Sequence, residues 1–221
     1  MVRAILFVLI AANLLAKEES FDIEVLSWTP RIVLLHNFLT NKECDHLQKQ
    51  AKPHLARSEV LDEQSGGGRI NEVRTSQGMF FEGRGVDPII SQIEERISHL
   101  TMMPVEHGES IQVLQYQPGA EFRPHHDYFD ADTVGGQMAL ENGGQRMATV
   151  IMYLNNTEAG GETIFPEADL KVQPKKGNAV LFYNCRPDGT EDPLTLHGGA
   201  PVIKGTKWIA TKWVHLNEVK N

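Results

Sequence analysis

Cysteine is scarce. The chain of 221 residues carries two, Cys44 and Cys185, with no CxxC pair and no Cys/His run at zinc-site spacing. That excludes a thiolate zinc site; whether the two thiols pair or lie buried apart does not follow from their positions. Basic clusters are missing as well. The formal net charge is −8, which argues against nucleic acid or an anionic membrane as a main partner, because both demand a concentrated positive face. An acidic surface suits a neutral or basic peptide. The apolar run from Ala4 to Ala16 falls short of the ~20 residues that span a bilayer. There is no internal repeat, no low-complexity tract and no KDEL-like ending, since the sequence closes on "NEVKN".

The remaining composition is that of an ordinary globular protein, 41% hydrophobic and 23% charged, long enough for one domain with a large core. Arg3 followed by the apolar run fits a secretory signal with cleavage after Ala16. Leu14 at the −3 position is a poor cleavage residue, so a short uncleaved anchor is the alternative. Residues 1–16 are therefore read as signal peptide or anchor and 17–221 as one domain. The expected location is the secretory pathway, the periplasm or the extracellular space rather than the cytoplasm. "NNT" at 155–157 is an N-glycosylation sequon.

Two helices come first. Thr40 or Asn41 caps a segment with Cys44, Leu47 and Ala51 at helical spacing, closed by Pro53. Asp87 caps a second, with Pro88 in its first turn and Ile89, Ile90, Ile93, Ile97 and Leu100 as one apolar stripe. Between them, 61–78 is a polar, Gly-rich loop. "RIVLLHNFL" reads as a buried strand. After residue 105 the texture is short strands ("SIQVLQY", "EFRPHHDYF", "MATVIMYL", "ETIF", "NAVLFY", "LTLHGG", "KWIATKWVH") separated by turn residues, interrupted by a second polar loop at 130–145. Helices first and antiparallel strands later indicate an α+β fold with a sandwich or jelly roll buttressed by helices.

In "RPHHDYF", alternation along an extended chain puts His125 and Asp127 on one face and His126 on the other. A strand-end histidine, His197, stands before a glycine pair some ~70 residues on. Two histidines and one carboxylate on a metal leave adjacent positions open, the arrangement of non-haem Fe(II) oxygenases; zinc hydrolases use a similar set, and the spacing alone does not choose. The last strand adds a charge: Lys207, Ile209, Thr211, Trp213 and His215 share a face, and a lysine turned inward requires an anionic partner. A bound dicarboxylate would provide one; a strand-end lysine paired with a surface acid would need none.

"YQPGAEFRPHHDYF", "GGQRMATVIMYLNNTEAGGETIFP" and "LTLHGGAPVIKGTKWIATKWVH", together with "EVRTSQGMF" and "NFLTNKECDHL", resemble the prolyl 4-hydroxylase family of 2-oxoglutarate- and Fe(II)-dependent dioxygenases, in its compact algal, plant and bacterial form. The resemblance covers roughly 25–217. It implies a double-stranded β-helix (jelly roll) with supporting N-terminal helices, and Fe(II) held by His125, Asp127 and His197. It implies that Lys207, Tyr116 and Thr163 bind the distal carboxylate of 2-oxoglutarate. It implies a proline-containing peptide partner, contacted by Arg74 and Ser76 in the first loop and by Glu109, Arg146, Trp213 and His215 near the metal. The implied reaction converts peptidyl proline to 4-hydroxyproline with release of succinate and CO2, with L-ascorbate as reductant. One position departs from the pattern: a tyrosine often stands three residues before the first ligand histidine, and here it is Phe122. A related oxygenase acting on another residue or a small molecule, and a jelly-roll binding module with a degenerate site, are the competing readings.

Overall fold

The computed structural model describes residues 21–61, 67–69, 72–83 and 85–220. The N-terminal apolar segment and part of the first Gly-rich loop lie outside these. β1 (Asp22–Trp28) and β2 (Arg31–His36) form a hairpin, followed by α1 (Asn41–Ala51). Short strands β3 (Ala56–Arg57), β4 (Val60–Leu61), β5 (Gly68–Arg69) and β6 (Gln77–Phe80) lead to α2 (Pro88–Thr101). Then come β7 (Gln112–Tyr116), β8 (Phe122–His125), α3 (Val134–Leu140), β9 (Arg146–Tyr153), β10 (Ala159–Gly160), β11 (Thr163–Phe165), β12 (Leu170–Val172), β13 (Ala179–Tyr183), β14 (His197–Gly199), β15 (Val202–Lys204) and β16 (Lys207–His215).

Eight strands pair in the order β1-β2-β13-β9-β16-β7-β6-β3, and a smaller sheet runs β12-β11-β14-β8. The chain alternates between them: β7, β9, β13 and β16 belong to the large sheet, and β8, β11 and β14 to the small one. This alternation is the double-stranded β-helix the sequence suggested. Alternation of side chains along each strand builds two cores. Leu114, Tyr116, Ile151, Tyr153, Val180, Phe182 and Ile209 turn inward toward the small sheet and meet Phe165 and Val172. Val113, Val150, Met152, Ala210 and Val214 face the other way, onto Leu47 and Ala51 of α1 and Ile93 and Ile97 of α2.

The helix starts follow their capping chemistry. Thr40 and Glu43 form a reciprocal capping box, and the Asp87 carboxylate accepts from the backbone of Ile89 and Ile90. Several elements were not anticipated, of which β1 and α3 are the longest. β1 is an edge strand, mostly exposed, so it lacks a buried apolar run. α3 falls within the segment read as a loop, because Gly135 and Gly136 lower helix propensity. The helix forms nonetheless because Thr133 caps it, and because it packs so tightly that a Cβ on Gly136 would sit 1.9 Å from the Asp130 carbonyl oxygen. Cys44 and Cys185 are both buried free thiols, and burial pushes each to a pKa of about 11. The sequon residue Asn155 is committed on both sides of its amide, donating to the Thr206 carbonyl and accepting from the Trp208 N–H, each at 2.8 Å. Among the described residues no helix is long and apolar enough to cross a membrane.

One buried ion pair ties the helices to the sheet. Lys212 on the outward face of β16 is 2% exposed and meets Glu94 of α2, itself 5% exposed. Removing one partner leaves an uncompensated buried charge. Lys212→Ala should cost roughly 3–5 kcal/mol in chemical denaturation, and Lys212→Met combined with Glu94→Leu should restore most of it. Equal losses in the single and double variants would contradict that assignment.

Candidate active site

The small sheet brings the three candidate metal ligands together. β14 runs antiparallel to β8 with His197 directly opposite His125. β8 ends at His125, and Asp127 lies in the bend that follows. The carboxylate therefore reaches the histidines through a turn, not through strand alternation as the sequence suggested. His125 Nε2 lies 3.6 Å from Asp127 Oδ1, and His197 Nε2 lies 3.4 Å from Oδ2. One donor atom from each of the three residues falls within 4.8 Å of the others. His126 turns away, onto the Pro193 carbonyl at 3.0 Å.

Each candidate ligand is oriented from behind. His125 Nδ1 donates to the Arg123 carbonyl at 2.8 Å and His197 Nδ1 to the Thr195 carbonyl at 3.0 Å. These bonds fix the tautomer and leave both Nε2 lone pairs aimed at the same point. Burial and the neighbouring His197 ring hold the His125 pKa below its usual value, favouring the neutral, ligating form. Burial alone would raise the Asp127 carboxyl, but His197 and His125 more than offset it and keep it well below the ordinary carboxylate range. Thr149 on β9 donates to Asp127 Oδ2 at 2.8 Å, and Asn184 Nδ2 donates to Thr149 Oγ1 at 3.0 Å. Neither Thr149 nor Asn184 stands out in the sequence. Both are fully buried.

Beside this set, a cavity is lined by Tyr116, Thr163, Gly199, Lys207, Thr211 and Trp213 among others. Lys207 is 2% exposed. Its pKa is pushed down to about 8 by burial, against a weak opposing pull from Glu162. Among the described residues it has no ion-pair partner; Tyr116, opposite it in the β16–β7 register, presents a ring centroid 5.4 Å from Nζ. A buried ammonium, a phenol and a threonine hydroxyl around one space are all donors, and the complement is an anion that accepts from all three.

A wider cleft opens past the histidines, lined by Glu59, Arg74, Phe80, Glu109, Tyr128, Arg146, Trp213 and His215. Glu109 accepts from Arg146 at 2.5 and 3.0 Å and faces His215 Nε2 at 2.7 Å. Burial would raise the Glu109 carboxyl, but Arg146 and His215 bring it down to about 2. The Arg146 guanidinium lies over the Trp213 ring at 4.3 Å. Arg74 bonds Gln112 at 2.9 Å and stacks on Phe122 at 4.9 Å, and Phe122 in turn stacks on His125 at 3.6 Å. Ser76 is different. It is fully buried, its hydroxyl donates to Ser58 at 2.9 Å, and Ser58 rather than Ser76 lines the cleft. Two buried donors on the cleft wall, Arg74 Nε and Trp213 Nε1, have no hydrogen-bond partner among the described residues.

Two imidazoles and one carboxylate converging on the wall of a jelly roll mark the non-haem iron class of oxygenase. Comparison with known proteins agrees. Residues 111–215 match the family model of the 2OG-Fe(II) oxygenase superfamily. The chain is 48% identical to prolyl 4-hydroxylase 5 of Arabidopsis thaliana over 217 residues, 90% of this chain and 72% of that one. It is 46% identical to the probable prolyl 4-hydroxylase 3 of the same plant, over 89% and 73% of the two chains. Among solved structures, a viral collagen prolyl hydroxylase from Paramecium Bursaria Chlorella virus-1, in complex with 2OG, superposes with a TM-score of 0.65 at 29% identity, covering 83% of this chain and 94% of that one. The chain belongs to the prolyl 4-hydroxylase family of 2-oxoglutarate- and Fe(II)-dependent oxygenases.

The Asn184–Thr149–Asp127 relay has a measurable consequence. Thr149→Val keeps the shape and removes the hydroxyl, and should weaken anaerobic Fe(II) binding roughly 10–100-fold. Unchanged metal affinity would show that the relay does not orient the carboxylate.

Proposed function

We propose that this enzyme hydroxylates proline in peptides at C4, coupled to conversion of 2-oxoglutarate to succinate and CO2. The observation that carries the reading is Lys207: a buried ammonium without an ion-pair partner among the described residues, facing the cavity that also holds the His125–Asp127–His197 set. Only an anionic co-substrate gives that amine a partner, and a zinc hydrolase gives it no role.

His125, Asp127 and His197 would hold Fe(II), which when bound supplies the oxygen-activating chemistry that attacks the C4–H bond. The protein's part is ligation, orientation and exclusion of water. Lys207, Thr163 and Tyr116 seat the distal carboxylate and so fix which way the co-substrate's keto-acid end points. Arg74 Nε and Trp213 Nε1 offer donors to backbone carbonyls of an extended peptide in the cleft, and the Trp213 ring gives a proline ring an apolar surface. Glu109, held ionised between Arg146 and His215, keeps both side chains in place on the same wall. Ascorbate is the reductant this reading expects when co-substrate is consumed without peptide. Phe122 in place of a tyrosine removes a phenol from the wall beside His125, and sets this cleft apart from those of relatives that carry it.

The reading is tested by turnover with polyproline, collagen-like and unrelated peptides, followed by mass analysis. Gain of one oxygen on proline, matched by succinate, is the expected result; succinate without peptide modification, or oxygen on another residue, would overturn it. Asp127→Ala should abolish turnover while the fold persists. Lys207→Ala should raise the 2-oxoglutarate requirement far more than the peptide requirement. The pH dependence follows from the amine: charged below about pH 8, it should give 2-oxoglutarate affinity that is flat below that pH. Above it, affinity should fall by up to about tenfold per pH unit until the amine's pKa in the complex, raised by the bound anion, is passed. An affinity unchanged from pH 7 to 10 would remove Lys207 from the site.

A further inference from the structure

β16 ends at His215, and residues 216–220 then leave the sheet as a strap along the turn that precedes β9. Leu216 N–H donates to the Gln145 carbonyl, Asn217 N–H to Gly143 and Val219 N–H to Glu106, each at 2.9 Å. Asn142, in the turn after α3, clasps the end of the strap with both sides of its amide. Its Oδ1 accepts from the Lys220 N–H at 2.8 Å and its Nδ2 donates to the Lys220 carbonyl at 3.2 Å.

Val219 is the one buried side chain of the strap, at 3% exposure, and it belongs to neither hydrophobic core. It lines the open cleft instead, with Asn142, Thr133, Gly136 and Ala139, and none of these lines the Lys207 cavity. Gly143 makes the seat. Its φ is +85°, and a Cβ there would lie 2.7 Å from Val219 Cγ2 and 2.9 Å from His215 Nδ1. Only glycine lets the backbone pass this close in that conformation. Ordering the end of a chain costs entropy, and here core packing does not offset it.

We propose that residues 216–220 are a specificity element for the peptide: latched by Asn142 and seated on Gly143, the strap holds Val219 in the cleft wall as a contact for residues that flank the reacting proline. With Gly136 and Ala139, Val219 gives this part of the cleft a small, apolar surface, which suits apolar flanking residues such as further prolines. Asn142 is a positioning residue that acts through the strap. The proposal rests on the reading of the open cleft as the peptide seat.

The test compares a ten-residue polyproline with a blocked tripeptide holding one proline. The first spans ~31 Å and the second ~10 Å, so only the longer one is expected to bridge the metal and the strap. Val219→Ala and Asn142→Ala should each raise the decamer KM about fivefold, the loss of one modest interface contact. The tripeptide KM, the 2-oxoglutarate KM and kcat should stay at parental values. Asn142→Ala/Val219→Ala should be no worse than Val219→Ala alone, because latch and wedge act as one unit. A measurement on the parent protein needs no variant: with Mn(II) and 2-oxoglutarate, without oxygen, the amides of Asn217, Val219 and Lys220 should exchange hydrogen more slowly with decamer than with tripeptide. A parental decamer KM in either variant, equal rises for the two peptides, additive losses in the double variant, or exchange that does not distinguish the peptides would each overturn the proposal. Failure of the underlying reading looks different: the parent protein would then hydroxylate neither peptide.

Discussion

Everything in this site depends on one cross-strand pair. His125 and His197 stand opposite each other where β14 meets β8, and each has its Nδ1 tied to the carbonyl two residues before it. The pairing sets the distance between the rings. The backbone bonds set their tautomer and direction. Asp127 needs only to turn back through one bend to complete the set, and Thr149 holds it there. A shift of one residue in the β8–β14 register would turn one imidazole to the opposite face of the sheet and dissolve the arrangement. The rest of the jelly roll, including the helices packed behind the large sheet, serves to keep that register.

The charges around this pair follow one pattern: donors are buried without acceptors. Lys207 has no ion-pair partner among the described residues, and Arg74 Nε and Trp213 Nε1 are buried donors without a hydrogen bond. Such groups are costly in a protein that binds nothing. Here they lie in two places, the Lys207 cavity and the wall of the open cleft, matching a carboxylate in the first and peptide carbonyls in the second. Other cations are neutralised internally: Lys212 meets Glu94 behind the large sheet, and Arg146 meets Glu109 on the cleft wall itself.

Much of this was legible in the sequence, and for identifiable reasons. HxD followed by a strand-end histidine carries ligand chemistry in its residue types, and the strict alternation of β16 by itself places Lys207, Trp213 and His215 on one face. Helix starts could be read because Thr40, Glu43 and Asp87 act within one turn of chain. What could not be read depends on which strands become neighbours. Thr149 and Tyr153 look like ordinary inward residues of a buried strand; only the folding of β9 beside β13, and against the small sheet, puts one against Asp127 and the other against Thr163. Ser76, expected at the peptide, is buried beneath Ser58 because β6 pairs with β3. α3 escaped notice because its two glycines speak against a helix locally, while close packing on the Asp130 carbonyl requires one of them.

The central claim is that three side chains from two segments grip one ferrous ion while a buried ammonium holds the far end of the co-substrate. A crystal structure of the anaerobic complex with Fe(II) and 2-oxoglutarate tests it most directly. The account predicts a single metal bonded by Nε2 of His125, Nε2 of His197 and an oxygen of Asp127, with the distal carboxylate against Lys207 Nζ, Thr163 and Tyr116. A metal held by other residues, or a co-substrate whose distal carboxylate lies away from Lys207, would contradict it.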